Sequence, residues 1–255
     1  MIDVHCHLEQ KDYDQDRDSI LKNCKKELTA VIISCANPKN FDVTMKLVEE
    51  NKNFLFATVG IHPEYVKEIT EKEQDAFLDI ITENREKIVG IGEVGLDYNW
   101  VKEEQWQKKQ RELFIKFIQF SKELKLPLIV HTREAYEDAL TILEHEDARR
   151  VLMHMFGAHH LVQKIIENKW YISLNTMILT SKKYKKVARD IPLELVLLET
   201  DSPWLGLDKK RNDPTSVKVV AEKIAEIKHV SFEEVDKLTT KHSLEFFQLN
   251  LNRAT

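Results

Sequence analysis

Histidines and acidic residues recur in this sequence directly after short apolar runs. Six of them combine ligand chemistry with such a position. They are His5, His7, Glu93, His131, His154 and Asp201. Imidazole nitrogens together with carboxylate oxygens suit borderline divalent ions such as Zn²⁺, Mn²⁺, Ni²⁺ or Fe²⁺ better than Mg²⁺, which prefers an all-oxygen site. These residue types predict a metal site if the fold brings them together.

Eight short apolar runs rich in β-branched residues predict eight strands. They are Ile2–Val4, Ala30–Ser34, Phe54–Val59, Ile88–Ile91, Pro127–Val130, Val151–Met153, Trp170–Ser173 and Leu195–Leu198. Stretches with helical spacing, such as Gln105–Lys122 and Tyr136–Leu143, separate most of them. Repeated βα units of this number predict an α/β fold, a (β/α)8 TIM barrel. The main alternative, an open doubly wound sheet, would need a glycine-rich phosphate loop after the first strand. That strand instead runs into His5-Cys6-His7.

The chain is predicted to be a single domain over residues 1–255. Its length suits one α/β barrel, and glycine is scarce, with no Ser/Gly-rich linker between the elements. After the eighth strand, Pro214–Lys228 and Ser231–Leu251 are predicted to be two further helices, at about 214–251, packed on the barrel. Ser231 followed by Glu234 predicts a capping box at the start of the second.

Composition excludes several classes of protein. Hydrophobic residues make up 42% and charged residues 32% of the chain, a globular balance without a collagen-like or disordered bias. The sequence contains no apolar run of transmembrane length and no signal-peptide pattern at its start, and its three cysteines do not form a disulfide framework. We therefore expect a cytoplasmic protein with no membrane contact and no obligate protein partner.

The net charge and one basic run bear on whether the protein binds polyanions. The net charge of −5 argues against a general binder of polyanions. The basic run Lys182–Lys186 follows the seventh predicted strand. Such a run is usually a solvated helix face, although at the top of a barrel it could touch a polyanion.

Barrel geometry predicts where the six ligand candidates meet. The carboxyl ends of the strands converge on one face of a barrel, and catalytic groups lie there. Because side chains alternate along a strand, His5 and His7 point to the same side and Cys6 to the other. Six ligands are too many for one catalytic zinc but fit two ions that share the Glu93 carboxylate. The predicted first set is His5, His7, Glu93 and Asp201, and the second set is Glu93, His131 and His154.

Several motifs in combination resemble those of the TatD family of metal-dependent hydrolases. They are His5-x-His7, Gly60-Ile61-His62-Pro63, Gly92-Glu93-Val94-Gly95-Leu96-Asp97-Tyr98, His131-Thr132-Arg133, His154-x-Phe156, Glu199-Thr200-Asp201-Ser202-Pro203 and Arg211-Asn212-Asp213-Pro214. The resemblance covers essentially the whole chain. It implies a (β/α)8 barrel, a cytoplasmic divalent-metal deoxyribonuclease, and the same six metal ligands.

Three departures from the family pattern leave the substrate open. The family commonly has Ser or Thr and then Gly after the His-x-Phe motif, whereas this chain has Gly157 and Ala158. An Asn common in the last helix is replaced by His242, and the loop Leu205–Lys210 is short. None of these departures removes a predicted metal ligand.

The predicted reaction is hydrolysis of a phosphodiester, in DNA or a related substrate, by a water activated between two ions. Glu93 and Asp201 are the predicted catalytic residues, and Asp201 can also accept the proton of the water. Arg133 lies two residues beyond His131 and so on the same strand face, where it could hold a phosphate bidentately. The further predicted substrate contacts are His62 and Arg211.

Two other functions remain open from the sequence. An amidohydrolase acting on C–N or C–O bonds often bridges its metals with a carboxylated lysine from the fourth strand. In this chain Glu93 holds that position, and no lysine lies between Lys87 and Lys102. A non-catalytic metal-binding protein would be expected to lose a ligand or the arginine, and none is lost.

Overall fold

A computed structural model describes residues 1–251. Its eight strands form one parallel sheet in sequential order. They are β1 Ile2–Cys6, β2 Ala30–Cys35, β3 Leu55–Val59, β4 Gly90–Asp97, β5 Leu128–Arg133, β6 Val151–Met153, β7 Tyr171–Leu174 and β8 Val196–Leu198. Parallel neighbours in this order require a crossover after every strand, and helices supply most of these crossovers. The predicted (β/α)8 barrel is confirmed.

Ten α-helices lie in the described part of the chain. They are α1 Arg17–Glu27, α2 Phe41–Glu50, α3 Glu71–Glu83, α4 Glu104–Leu124, α5 Tyr136–His145, α6 Val162–Asn168, α7 Met177–Thr180, α8 Lys182–Asp190, α9 Val217–Lys228 and α10 Phe232–Phe247. Short 3-10 helices span Lys11–Tyr13, Pro38–Asn40, Pro63–Lys67, Arg85–Lys87, His159–Leu161, Leu193–Leu195, Leu207–Lys209 and Pro214–Ser216. Among residues 1–251, no helix combines the length and the apolar character needed to cross a membrane.

Backbone hydrogen bonds join the first strand to the segment after the last. The amide of Asp201 donates to the carbonyl oxygen of His5 at 2.9 Å, and the amide of His7 donates to the carbonyl oxygen of Ser202 at 2.7 Å. These bonds lie at the carboxyl ends of β1 and β8. Residues from opposite ends of the sequence are thereby held side by side at the top of the barrel.

Helix α10 closes the other end of the barrel. Apolar side chains from several strands form a small cluster inside the sheet, and Phe246 and Phe247 of α10 pack with them. The strand residues of this cluster are Ile2, Val4, Ala30, Ile32, Ile129, Leu152 and Leu197. The amino-terminal end of the barrel is therefore filled with apolar side chains, and the open end is the one to which the predicted ligands belong.

An extra residue in β1 turns His5 toward the barrel interior. Between Asp3 and Cys6 this strand advances three residues while β2 advances two, which is the count of a β-bulge. Val4 packs in the interior cluster and Cys6 in the outer core between strands and helices. Strict alternation from Val4 would turn His5 outward, so the bulge decides which side the His-x-His pair faces.

A second bulge in β4 does the same for Glu93. Between Ile91 and Val94 this strand advances three residues while β5 advances two, and both side chains lie in the outer core. The extra residue therefore leaves Glu93 on the inner face. Gly95 makes the close approach of β4 to β5 possible. Its φ is +143°, and a Cβ there would lie 2.0 Å from the carbonyl oxygen of His131.

The predicted bounds of three site-bearing strands are too short. The sequence pattern places Glu93 after a strand over Ile88–Ile91, but β4 runs to Asp97 and contains it. Strand β5 likewise extends through Arg133, and β1 includes His5. The added strand residues are mostly glycines and polar residues, so the apolar pattern stops before the strand does. Most of them are nevertheless buried, against the cavity or the neighbouring strands.

The two C-terminal helices occur where they are predicted, with different bounds. The first begins as the 3-10 turn Pro214–Ser216 and continues as α9, and the second ends at Phe247 rather than at Leu251. The Ser231 hydroxyl oxygen caps α10 by accepting from the amide of Glu234 at 3.1 Å. The described helices surround one sheet. The predicted single domain, residues 1–255, includes residues 252–255, which lie outside the described part of the chain.

Candidate metal centre

The predicted ligands gather at the carboxyl end of the barrel, beside a cavity of about 610 Å³. Five of the six line this cavity, namely His7, Glu93, His131, His154 and Asp201. His5 is fully buried beside them, with its ring stacked on that of His154 at a centroid distance of 3.7 Å. Side chains from β1, β4, β5 and from the segments after β6 and β8 therefore meet in one place.

The two carboxylate oxygens of Glu93 face different histidines. Oε2 lies 3.3 Å from Nε2 of His5 and 4.0 Å from Nε2 of His7. Oε1 lies 2.7 Å from Nδ1 of His131 and 3.7 Å from Nε2 of His154. One buried carboxylate thus stands between two pairs of imidazoles, which is the arrangement that a bridging ligand requires.

Asp201 lies with the first pair of histidines. Its Oδ1 is 3.4 Å from Nε2 of His7 and 3.9 Å from Nε2 of His5. Donor atoms within 4.8 Å of one another form the sets His5/His7/Glu93 and Glu93/His131/His154, and also His5/His154/Glu199 and His62/Asp97/His131. The first two sets coincide with the predicted ligand groups, apart from Asp201.

The donor chemistry fits divalent ions of the borderline class. Both ring nitrogens of His5 are buried, and neither has a hydrogen-bond partner. A buried polar atom without a partner is costly, and a metal ion would satisfy one of these nitrogens. Imidazoles and carboxylates in this proportion are the ligands expected for Zn²⁺, Mn²⁺, Ni²⁺ or Fe²⁺.

The carboxylates and imidazoles of the site shift one another's pKa values. Burial alone would raise the pKa of Glu93, but the imidazoles of His154 and His5 hold it well below its usual value. Burial alone would lower the pKa of His131, but hydrogen bonds to Asp97 and Glu93 raise it to about 9. The Glu93 carboxylate is therefore ionised at neutral pH and draws positive charge toward it. A metal ion would take the place of protons on the imidazoles.

Glu199 is a site residue to which the sequence assigns no role. Its Oε2 lies 2.7 Å from Nδ1 of His154, and its Oε1 accepts from the side-chain amide of Asn175 at 2.9 Å and from the amide of Met155 at 3.1 Å. The bond orients the imidazole so that Nε2 faces Glu93. Glu199 stands in the same motif as Asp201. An acidic residue at a strand end can bind either a metal or a histidine, and the sequence pattern does not distinguish these roles.

Asp97 supports His131 in the same way. Its Oδ2 lies 3.0 Å from Nε2 of His131, while Oδ1 accepts from the amides of Asn99 and Trp100. On the other side of the site, Oε1 of Glu9 lies 3.5 Å from Nδ1 of His7. Asp97 belongs to one of the motifs that resemble the family. Its position at a strand end is the one feature of the sequence that could have indicated a role in the site.

Two of the three predicted substrate contacts line the cavity. Arg133 is exposed there, with its guanidinium 5.7 Å from the ring centroid of Trp100. His62 accepts from the amide of Glu64 through Nδ1, so its Nε2 carries the proton of the neutral ring and lies 3.7 Å from Glu93. Burial lowers the pKa of His62 to about 3, which keeps this ring neutral.

Arg211 is not brought to the cavity. Its guanidinium hydrogen-bonds the carbonyl oxygen of Asp12 and the carboxylate of Asp16, and it lies 4.8 Å from the ring centroid of Tyr13. The segment after β8 folds against the segment that follows β1, and these partners hold the arginine there. Cys6, predicted to face away from the metal, is fully buried in the outer core.

A family model described as TatD related DNase matches residues 2–248. The chain belongs to this family. Deoxyribonuclease TATDN3 of Homo sapiens is 33% identical over 258 residues, which cover 97% of this chain and 94% of that protein. The metal-dependent hydrolase YabD of Bacillus subtilis is 35% identical over 259 residues, which cover 98% of this chain and 100% of that protein.

Solved structures of the family share the fold. The TatD homologue YjjV of Escherichia coli superimposes with a TM-score of 0.89 at 22% identity, covering 98% of each chain. A TatD family hydrolase of Entamoeba histolytica gives the same TM-score of 0.89, identity of 22% and coverage of 98% of each chain. The predictions of the family, of the barrel and of a metal-dependent hydrolase acting on ester bonds are confirmed.

Proposed function

We propose that this protein is a deoxyribonuclease that hydrolyses phosphodiester bonds with two divalent ions. The observation that carries the proposal is the division of the Glu93 oxygens between two groups of imidazoles. The family description and the name of the human relative support DNA as the substrate. The cytoplasmic location predicted from the sequence belongs to the same proposal.

The two ligand groups assign the residues that would hold the ions. The first group is His5, His7, Glu93 and Asp201, and the second is Glu93, His131 and His154. When bound, two divalent ions supply an activated water and stabilise the charge that develops on the phosphoryl oxygens. The borderline ions named above suit these ligands better than Mg²⁺.

Three side chains of the cavity also act on the water or on the substrate. Asp201 accepts the proton of the attacking water through its carboxylate. His62 donates from Nε2 to a phosphate oxygen, because its Nδ1 is engaged with the amide of Glu64. Arg133 binds a phosphate through two parallel N–H groups, and the ring of Trp100 lies 5.7 Å from its guanidinium.

Substrate screening of metal-stripped protein reloaded with single ions tests the proposal. The substrates are single-stranded DNA, RNA, a phosphodiester dye and an N-acyl amino acid. We expect metal-dependent cleavage of DNA and of the dye. Cleavage of the N-acyl amino acid alone would indicate an amidohydrolase, and no hydrolysis with any ion would indicate a metal-binding protein.

Replacing Arg133 separates a nuclease from an enzyme for neutral substrates. Arg133→Lys should weaken phosphodiester hydrolysis about ten- to a hundredfold, because a charge-assisted bidentate contact contributes about 1.5–3 kcal/mol. Both ions should stay bound, and any activity on a neutral ester should be unchanged. Catalytic efficiency on DNA, a phosphodiester dye and a neutral ester measures this.

The three substrates also define the contrary results. An equal loss on all of them would give Arg133 a structural role only. A loss confined to the neutral ester would contradict the assignment of a phosphodiester substrate.

A further inference from the structure

Lys183 is a cavity residue that lies outside the metal centre. It is the second residue of α8, within the basic run Lys182–Lys186, and its exposed side chain lines the same cavity as Arg133. Its Nζ lies 5.6 Å from the ring centroid of Tyr136 and 5.5 Å from that of Tyr184. Two aromatic rings therefore hold the ammonium group on the cavity wall.

Gly157 provides the space that this lysine occupies. A Cβ built on Gly157 would lie 2.2 Å from Cε and 2.9 Å from Nζ of Lys183, far inside van der Waals contact. Any other residue at this position would displace the lysine from its place over the tyrosines. Gly157 is one of the positions at which this chain departs from the Ser or Thr common in the family.

The ammonium group is available for a ligand. Within residues 1–251, the structure gives the side chain of Lys183 no hydrogen bond and no ion pair, only the two ring contacts. Arg133 in the same cavity likewise contacts a ring and no carboxylate of the described chain. An unpaired cation on the cavity wall is suited to an anion brought by the substrate.

We infer that Lys183 binds a phosphate of the DNA strand next to the one that is cleaved. The inference rests on the proposed function and names a binding residue for it. The cleaved phosphate belongs with the Glu93 and Asp201 carboxylates and their histidines, whereas the contacts of Lys183 in the same cavity are with Gly157 and two tyrosines. A lysine ammonium is a point charge without a fixed fork, which suits a flexible flanking phosphate.

The test compares a thymidine pentanucleotide with a phosphodiester dye that has a single phosphate. Lys183→Met should raise KM for the pentanucleotide about fivefold at low salt, the size of an exposed ionic contact, with kcat unchanged. In a plot of log KM against the logarithm of the salt concentration, the slope should be smaller by about 0.7 in the variant. This is the value for one phosphate contact on a single strand. Hydrolysis of the dye should be unchanged. Lys182→Met, at a neighbouring lysine that does not line the cavity, is the matched control.

A double-mutant cycle tests the part assigned to Gly157. Gly157→Ala should raise KM for the pentanucleotide as Lys183→Ala does, because the new methyl group displaces the lysine. In the Lys183→Ala background the same glycine substitution should add nothing. Additive effects would contradict the coupling between the two residues.

The outcomes separate this inference from the function on which it rests. If the wild-type enzyme cleaves the pentanucleotide and Lys183→Met leaves KM and salt slope unchanged, the inference is overturned and the proposed function stands. An equal loss on dye and pentanucleotide would place Lys183 at the cleaved phosphate and overturn the flanking contact. A wild-type enzyme that cleaves neither substrate overturns the proposed function itself.

Discussion

The Glu93 side chain is a buried carboxylate surrounded by imidazoles. Its Oε2 faces His5, its Oε1 faces His131, and the imidazoles keep its pKa well below the usual value. An ionised carboxylate in this position has enough charge and enough acceptor sites to serve two ions at once. A neutral amide of the same shape would keep the volume and remove the charge.

Glu93→Gln should lower the metal content of the reconstituted protein from about two ions per chain to about one or fewer. The amide cannot bridge two cations, so hydrolysis should fall by orders of magnitude while the fold is retained. Elemental analysis after reconstitution, circular dichroism and activity on DNA measure these three effects.

Cys6→Ala is the matched control for this measurement. Cys6 neighbours His5 but lies in the outer core, so the metal content of this variant should equal that of the wild type. A Glu93→Gln protein with wild-type rates at saturating metal would show that the bridge is misassigned. Metal loss in Cys6→Ala would contradict the outward direction of the Cys6 side chain in β1.

Irregularities in two strands position the candidate metal ligands. The bulges in β1 and β4 turn His5 and Glu93 toward the interior, whereas β5 alternates regularly and presents His131 and Arg133 on one face. Bulges commonly lie near active sites because one extra residue re-aims the side chains beside it. Strand β4 also lies close to β5 directly after the bulge, where Gly95 pairs with His131 and leaves no room for a Cβ.

Gly95→Ala should destabilise the protein by at least about 2 kcal/mol and reduce metal binding. A Cβ at this position would lie 2.0 Å from the carbonyl oxygen of His131, and the φ of +143° disfavours any side chain. Strand β5 would have to shift and carry His131 with it. Urea unfolding and metal content of the variant measure the two consequences.

Gly157→Ala is the control for the same type of substitution. Its new methyl group meets chiefly the flexible end of Lys183 rather than backbone, so stability and metal content should stay near the wild-type values. If Gly95→Ala were as stable as this control, the close approach of β4 to β5 would not be needed to position His131.

At the scale of the whole molecule, the candidate metal centre joins distant parts of the chain. Its residues come from the end of β1, from β4 and β5, and from the segments after β6 and β8. The backbone bonds of Asp201 and His7 close the barrel at the same end. Ions bound there would be held only by the folded chain, so binding and folding are linked.

Added metal should raise the melting temperature of the stripped protein. An ion at a hundredfold excess over its dissociation constant contributes about 2.7 kcal/mol when it binds only the folded state. For a chain of this size, that corresponds to a rise of roughly 5–10 °C. Differential scanning calorimetry with and without the ion measures it, and a chelator should reverse it. An unchanged melting temperature in every metal tested would contradict a resident metal centre.

The pattern of apolar and polar residues along the sequence was enough to predict the fold and to group the candidate ligands. The apolar runs indicated eight strands, and the barrel that they imply is the observed one. The placement of His5, His7, Glu93, His131, His154 and Asp201 at or near strand ends was sufficient to group them, because parallel strands of a barrel have their carboxyl ends on one face. The alternation of side chains also predicted Arg133 on the same strand face as His131, and both residues line the cavity.

Tertiary structure alone decided the remaining features, because they depend on pairing between distant segments. The bulges that aim His5 and Glu93 appear only in the register between neighbouring strands. Which acid serves a histidine was settled by side-chain contacts, as for Glu199 with His154, and the partners of Arg211 kept it from the cavity. A sequence pattern reports periodicity along one segment, whereas register and contacts between segments arise from the packing of the whole barrel.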